Sequence, residues 1–522
     1  MMKRFLSLLL VAVMLLSAAG CNSRASSDKG STPTPVGESS GQSDTDETPI
    51  SKGQINFDEE PYTITVCYPV MGVASPDQEL IQEKINEIAI KEINAYVQLE
   101  AIDLFSMSNT YALKASSQEK MDLIMLMPGG NYLTTFVNTN MIVPIDDLLD
   151  EWGPVIKETA GDWLPVGQFL GKQYTVPQNS TTRTMGYGFN VSVPLCEKYN
   201  IDIESIRSLE DLEAVFEIIH KNEPDITVLA PESTGGSIIG PVLGLYDTLG
   251  SRTSRMVIQE DGSLKVVLDM ESPEYMEAAK RVRDWYQKGY ISKDVITTQE
   301  AGSTLLEAGT CFATAIASVG ASGGTIGAGV EGRHVVFESG LPLLRTADSQ
   351  LFMWAVPTTC TRPEKSIQLL NLFNSSAELA NLFFHGIEGM HYEINDKGAV
   401  VPFENAGWVN YWPLVGDAFK LLASKGDVKD GTVEEFRQKE AEFNKLTKIS
   451  PAYGFTLDTT DIKTEIAACN AVGDEFGAAI GNGAVDPEVE IPRYVQKLYD
   501  AGVQRIIDEQ QRQLEAWVAL QN

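Results

Sequence analysis

Past residue 60 the chain alternates between short β-rich runs and stripes of helical period. Tyr62 to Tyr68 (YTITVCY) reads as a first strand. Ser75-Pro76-Asp77-Gln78 reads as a helix start: a capping serine, a proline at the first helical position and a glutamine to close a capping box. Ile81, Ile85 and Ile88 then share one face of that helix. Tyr96 to Ile102 is a second strand, a short helical stretch follows, and Asp122 to Met127 (DLIMLM) is a third, buried one. The βαβαβ order predicts a parallel sheet wrapped by helices. Ligands of such sheets bind beyond the carboxyl ends of the strands, which nominates Pro69 to Gly72 and Pro128 to Tyr132.

A second body begins near Tyr187. Ser208 caps a helix carrying Leu209, Leu212, Val215, Phe216 and Ile219 at helical spacing, with Asp211 in its first turn. Ser272-Pro273 opens another helix that stops at Gly289, with Tyr275, Ala279, Val282 and Trp285 or Tyr286 as its buried stripe. Gly320 to Gly332 is a glycine-rich loop. Further helices are predicted from about Pro363 to Phe384 and from about Pro492 to Ala519, and no internal repeat of fixed period is found. So long a chain exceeds one compact core, and two lobes are expected.

The first 60 residues change the picture. Lys3 and Arg4 precede an apolar run from Phe5 to Leu16, too short to span a bilayer but suited to a signal peptide. Ser17, Ala18, Ala19 and Gly20 lead to Cys21, an arrangement that resembles the bacterial lipobox, although Ala18 stands where that family usually has leucine. Lipidation of Cys21 is the expectation; an ordinary cut near Ala19 is the alternative. Residues 1–20 are then a signal peptide. Residues 21–59 are the lipidated cysteine and a Ser-, Thr-, Pro- and Gly-rich tether that cannot bury enough apolar surface to order itself.

A net charge of −32 argues against nucleic acid or an anionic lipid surface as partner. Besides Cys21 there are five cysteines, Cys67, Cys196, Cys311, Cys360 and Cys469, none close in sequence. No CxxC motif exists, and most read as small buried hydrophobes. His220, His334, His385 and His391 form no ligand pair on one helix face, so neither a metal nor another cofactor is expected.

Several segments together resemble an extracellular solute-binding protein of an ABC importer, of the carbohydrate type related to maltose-binding protein. Gly171 to Pro177 (GKQYTVP) resembles the turn before the first interlobe crossing, and Leu209 to Leu212 the helix after it. Asp284 to Ile291 (DWYQKGYI) resembles another recurrent segment, and Phe384 to Tyr392 (FHGIEGMHY) the G-I-E-G-x-x-Y signature of Gram-positive lipoprotein members. The resemblance covers nearly all of the mature chain. It implies an α/β, two-lobed periplasmic-binding-protein-like fold with a central cleft and two or three hinge crossings. Lobe one would take 60–178 and 355–395, lobe two 185–350 and 400–522. It also implies a monomer, lipid-anchored on the extracellular face of the cell membrane, that captures a solute, foremost a saccharide, for ABC permease subunits. Permease and ATPase would be other chains, since no P-loop motif occurs. A peptide or other non-sugar ligand is the first alternative and a surface-anchored hydrolase the second.

The candidate ligand residues follow. Trp408, Tyr411 and Trp412 concentrate aromatic faces in a loop bounded by Gly407 and Pro413, although such rings also pack lobe interfaces. Glu232 and Ser233 follow a strand end near Leu229, where the family has an aromatic residue that is absent here; a solvated loop carboxylate is the alternative. Asn131 and Tyr132 lie beyond the third strand, either as ligand contacts or as a helix-entry turn after Gly129-Gly130. His391 and Tyr392 belong to the G-I-E-G segment, in which Glu388 is expected to hold backbone amides. Gly320-Ala321-Ser322-Gly323-Gly324 matches the G-x-S-x-G nucleophile elbow, but Thr325 to Val330 is a poor helix, which the elbow requires.

Overall fold

The computed structural model describes residues 53–126, 132–178, 186–319, 332–335, 343–350, 352–410, 415–426, 428 and 431–521. Cys21, Asn131, Tyr411, Trp412 and Ser322 therefore lie outside the described residues, as do the signal peptide and nearly all of the tether.

The first sheet runs in the order Ala95–Asp103, Tyr62–Val70, Leu123–Leu126, Met353–Ala355, Thr175–Pro177. The first three strands are parallel, with Val66 level with both Leu99 and Leu123. Met353–Ala355 is antiparallel to its two neighbours, so Thr175–Pro177 points the same way as the first three. The run of buried residues along Tyr62–Val70 matches a strand covered on both faces, as the βαβαβ order predicts. The helix Gln78–Ile93 covers it with Ile81, Ile85 and Ala89. That helix starts two residues later than the sequence suggests. The Ser75 hydroxyl is used elsewhere, and Asp77 stands at the cap position with no side-chain cap bond.

The second sheet runs Gly332–Val335, Gly186–Ser192, Cys311–Val319, Thr227–Pro231. Here Cys311–Val319 and Thr227–Pro231 are parallel and Gly186–Ser192 opposes its partners. Its core is aromatic: Trp285 lies edge-on to Phe216 at 5.4 Å and to Phe189 at 6.3 Å. The expected caps are present, with Ser208 accepting from the Asp211 N–H and Ser272 from the Tyr275 N–H. Gly289 ends the second helix in the left-handed conformation that glycine takes without strain.

A third core is formed by the helices Lys463–Gly481, Pro487–Asp500 and Val503–Gln521 against the hairpin Ser254–Ile258/Leu264–Leu268. The single C-terminal helix expected from Pro492 onward is two helices, broken at Gly502, whose φ is +94°. Likewise the helix expected over Pro363 to Phe384 is Pro363–Ser375 followed by Ala377–His385, because Ser376 turns the chain and caps the second with its hydroxyl. Trp408 and Val415, grouped by the sequence with lobe two, lie in the core of the first sheet.

The chain passes between the cores three times: from Pro177 to Gly186, from Leu344 to Met353, and between Val415 and Ala452. The strand Lys448–Ile449 of the third pass pairs with Leu343–Leu344 of the second. Thr346 ties the passes further, accepting from the Gly454 N–H at 2.8 Å. Removing the ring at the centre of the second core, Trp285→Ala, should cost about 3–5 kcal/mol of stability. Denaturant unfolding that gives a loss below about 1 kcal/mol would show that the ring is not central to this core.

Candidate functional site

The strand directions fix where a ligand site can be. The first pass leaves the first sheet from the carboxyl end of Thr175–Pro177. It enters the second sheet at the amino end of Gly186–Ser192, which lies beside the carboxyl ends of Cys311–Val319 and Thr227–Pro231. Both sheets therefore present the carboxyl ends of their parallel strands to the crossings, the position where open α/β sheets receive ligands.

Of the sequence-predicted residues, Glu232, Ser233 and Tyr132 stand at these ends. Glu232 follows Pro231 directly. It is half-buried and makes no side-chain hydrogen bond or ion pair among the described residues, and burial pushes its carboxyl above the ordinary carboxylate value. Its main chain is held by both neighbours: its N–H donates to Ala315 and its carbonyl accepts from Ser303. Ser233 is exposed, and its carbonyl closes a tight turn with Gly236. Tyr132 begins the short helix Tyr132–Asn138, with its ring edge-on to Phe136 at 6.0 Å. From the stretch Pro69 to Gly72, the strand claims Pro69 and Val70, which are buried. Met71 and Gly72 are exposed beyond it, with the Gly72 N–H donating to the Asp103 carboxylate at 3.1 Å.

Two predicted ligand residues prove structural. Trp408 is 3% exposed, and its indole N–H donates to the Phe383 carbonyl at 3.1 Å. Its ring packs on Tyr68 and Phe383, each 6.1 Å away. Its only polar atom is paired and its faces are covered, so it has nothing left for a solute. His391 is 1% exposed and equally committed: Nδ1 accepts from the Ile387 N–H at 2.8 Å, and Nε2 lies 3.1 Å from the Asp77 carboxylate. The histidine, not Glu388, holds the G-I-E-G segment. Glu388 is exposed, and its carboxylate has no hydrogen-bond partner among the described residues. The glycines are needed for this clasp. A Cβ on Gly386 would come within 2.6 Å of His391 Nδ1, and one on Gly407 within 2.0 Å of the Asp77 carboxylate. Backbone ties complete it, with the Asp77 N–H on Gly407 and the Val409 N–H on the Ser75 hydroxyl.

Gln178, at the start of the first pass, was not among the residues singled out in the sequence. The signal was present, since Gln178 follows the GKQYTVP segment read as the turn before that crossing. Away from the crossings, a cavity of about 190 Å³ lies between the hairpin turn at Leu170-Gly171 and the C-terminal helix, with Phe455 and Trp517 in its wall. Its polar rim is already paired internally, Arg512 with Glu509 and Gln513 with Asp458 and Glu509. Among the described residues no group of His, Cys, Asp or Glu can hold a metal ion, and no helix is long and apolar enough to cross a membrane. The five described cysteines are free, all but Cys360 buried.

Comparison with known proteins adds to this geometry. A family model described as a domain of unknown function, DUF3502, matches residues 451–519, which make up much of the third core. A curated protein of Streptococcus pneumoniae serotype 4, named carbohydrate ABC transporter substrate-binding protein, is 28% identical over 364 residues, or 67% of this chain and 70% of its own length. Among solved structures, the N-glycan transport solute binding protein NgtS from Streptococcus pneumoniae superimposes with a TM-score of 0.72, at 22% identity, over 88% of this chain and 100% of that one. The fold is that of a two-domain solute-binding protein. NgtS in complex with Man1GlcNAc or Man5GlcNAc, at the same identity and the same 88% of this chain, gives TM-scores of 0.60 and 0.59. A solute-binding protein of Bifidobacterium longum infantis described as HMO binding gives 0.61 at 13% identity, over 88% of this chain and 99% of that one. At such identities the structural likeness establishes the fold. Carbohydrate-type solute-binding proteins, the resemblance drawn from the sequence, are what the comparisons return.

Two measurements probe the buried clasp at His391 and the half-buried carboxyl of Glu232. His391→Ala removes a buried ring and leaves the Ile387 N–H and Asp77 unmatched. It should cost about 2–4 kcal/mol, and an unchanged unfolding midpoint would refute the clasp. Glu232 behaves in the opposite way. A carboxyl whose folded pKa lies above its unfolded value favours the fold while protonated. That contribution is lost as pH rises from the ordinary 4.5 through the raised value. Glu232→Gln should therefore be more stable than wild type at pH 7, with a flatter stability profile above pH 4.5. Equal profiles in thermal scans would show that Glu232 titrates normally.

Proposed function

We propose that the chain is the solute-receiving component of a carbohydrate ABC importer, binding an oligosaccharide at the carboxyl ends of its two sheets and delivering it unchanged to a membrane permease. The observation that carries this reading is the pattern of likeness to NgtS. The match falls from the structure without glycan in its description to the two glycan complexes, although identity and coverage of this chain stay constant. We read that fall as a different disposition of the two domains in the complexes. The likeness to an HMO-binding relative and the curated carbohydrate name support the same ligand class.

Chemistry at the crossings fits a neutral polyhydroxylated solute. Glu232 supplies an unpaired acceptor and Tyr132 a ring with a hydroxyl. Asn131, Tyr411 and Trp412 complete the proposed ligand set from the segments outside the described residues. The hydrolase alternative rests on Ser322 alone, which also lies outside them. The proposed lobes follow the cores: lobe one from residue 60 to 178 and from 355 to about 416, lobe two from 185 to 350 with the C-terminal helices. The mature chain is proposed to be a monomer held on the extracellular membrane face by lipidated Cys21.

Titration calorimetry with Man1GlcNAc, Man5GlcNAc and kestose should detect binding of at least one, with the sugar recovered intact by mass spectrometry. X-ray scattering should show a more compact mature protein with that sugar than without it. Binding of none of the three, or recovery of a cleaved sugar, would overturn the reading. Cys21→Ser should be released from membranes or remain an unprocessed precursor; a processed variant still retained on the membrane would exclude lipid anchoring.

A further inference from the structure

Gln178 is the last described residue before the first pass out of the first sheet. Its main-chain N–H donates to the Phe352 carbonyl at 3.1 Å, so the outgoing first pass lies beside the returning second one. Its side chain is in an unusual condition. The amide nitrogen and the amide oxygen are both shielded from solvent, and neither has a hydrogen-bond partner. No other side chain among the described residues leaves both a donor and an acceptor orphaned in this way.

The neighbouring amides show that this is not general to the region. Gln173, on the same edge of the sheet, donates to the carbonyls of Leu164 at 2.8 Å and Thr175 at 2.6 Å. Gln350, on the second pass, donates to the Val166 carbonyl at 2.8 Å and the Thr456 hydroxyl at 2.9 Å. Gln173 leaves its Oε1 unpaired, but both of these amides bond through the nitrogen, whereas Gln178 bonds through neither atom. A buried amide left without one is a cost that folded proteins rarely carry, and where they do it calls for a cause. Its position supplies the cause. Gln178 stands at the carboxyl end of Thr175–Pro177, on the end of the sheet where ligands arrive. Its amide offers two donor hydrogens and an acceptor. A sugar hydroxyl is at once a donor and an acceptor and can satisfy both sides of that amide.

We propose that Gln178 is a recognition residue for the solute, its amide kept desolvated and unpaired in the empty protein so that a saccharide hydroxyl completes it. This rests on the saccharide reading above and goes beyond it, placing a specificity-determining contact on the hinge itself. A group held unpaired for a ligand lowers the stability of the empty fold and gains its bonds only on binding. That trade separates recognition from a merely structural role.

The test is Gln178→Met, which keeps the length and volume of the side chain and removes both polar atoms. Melting temperature is measured without sugar, and affinity by calorimetry with Man1GlcNAc, Man5GlcNAc and kestose. The expected result is an empty-protein melting temperature equal to or above wild type, with affinity for the bound sugar at least tenfold weaker. Gln178→Glu, which keeps the side-chain length and accepting oxygens but loses the donor, should also bind more weakly than wild type. Wild-type affinity in the methionine variant would overturn the proposal. So would weaker binding accompanied by a lower melting temperature, because the amide would then be serving the fold. Wild-type protein that binds none of the three sugars would overturn the saccharide reading itself, and this assignment with it.

Discussion

Three chain passes join the two α/β bodies, and the first and second lie side by side at Gln178 and Phe352. That convergence constrains the rest of the molecule. Because Thr175–Pro177 parallels the first three strands, the pass must leave from the ligand end of the first sheet. Because Gly186–Ser192 opposes its neighbours, the pass must arrive at the ligand end of the second. The proposed site and the hinge therefore coincide, and a solute bound there would act directly on the segments that join the bodies.

The third core steadies this joint. The loop from Ser450 to Asp461 reaches back to the first body and to the second pass. Asp458 accepts from Asn138 at 2.9 Å, Thr456 from Gln350, and the Tyr453 hydroxyl pairs with Ser349 on the second pass. Gly454, with φ of +99°, packs close to both Pro165 and Trp517. The start of the segment that matches the family of unknown function, residues 451–519, is in this way a brace between the cores. That accounts for a helical C-terminus packed behind a fold whose sheets are already covered.

Local order was legible in the sequence wherever periodicity and chain punctuation agree. The strands near Tyr62, Tyr96 and Leu123 and the caps at Ser208 and Ser272 are all decided within a few residues of themselves. Break points inside long apolar stripes were not legible. Ser376 and Gly502 interrupt helices whose apolar stripes continue on both sides, because packing on different neighbours outweighs the local pattern. The crossing between sheets was also legible, through the GKQYTVP segment. The state of the side chains next to it was not, since whether an amide finds a partner depends on residues far away in the chain.

The same limit explains why aromatic density misled and a plain glutamine was overlooked. Trp408 and His391 stand in segments rich in glycine and rings, and both turned out saturated. Every polar atom they carry is matched by a main-chain group or by Asp77, and their faces are closed by the first core. A saturated group stabilises the fold and has nothing to offer a solute. Recognition requires the converse, groups removed from bulk water and not yet matched, because only they gain on binding what they lack in the empty protein. By that criterion two groups at the carboxyl ends of the sheets stand out, one on each body. They are the Glu232 carboxyl, held above its ordinary pKa by burial, and the Gln178 amide, with neither atom bonded. A solute that engages both ties the two bodies together across the hinge, and binding and closure become a single event.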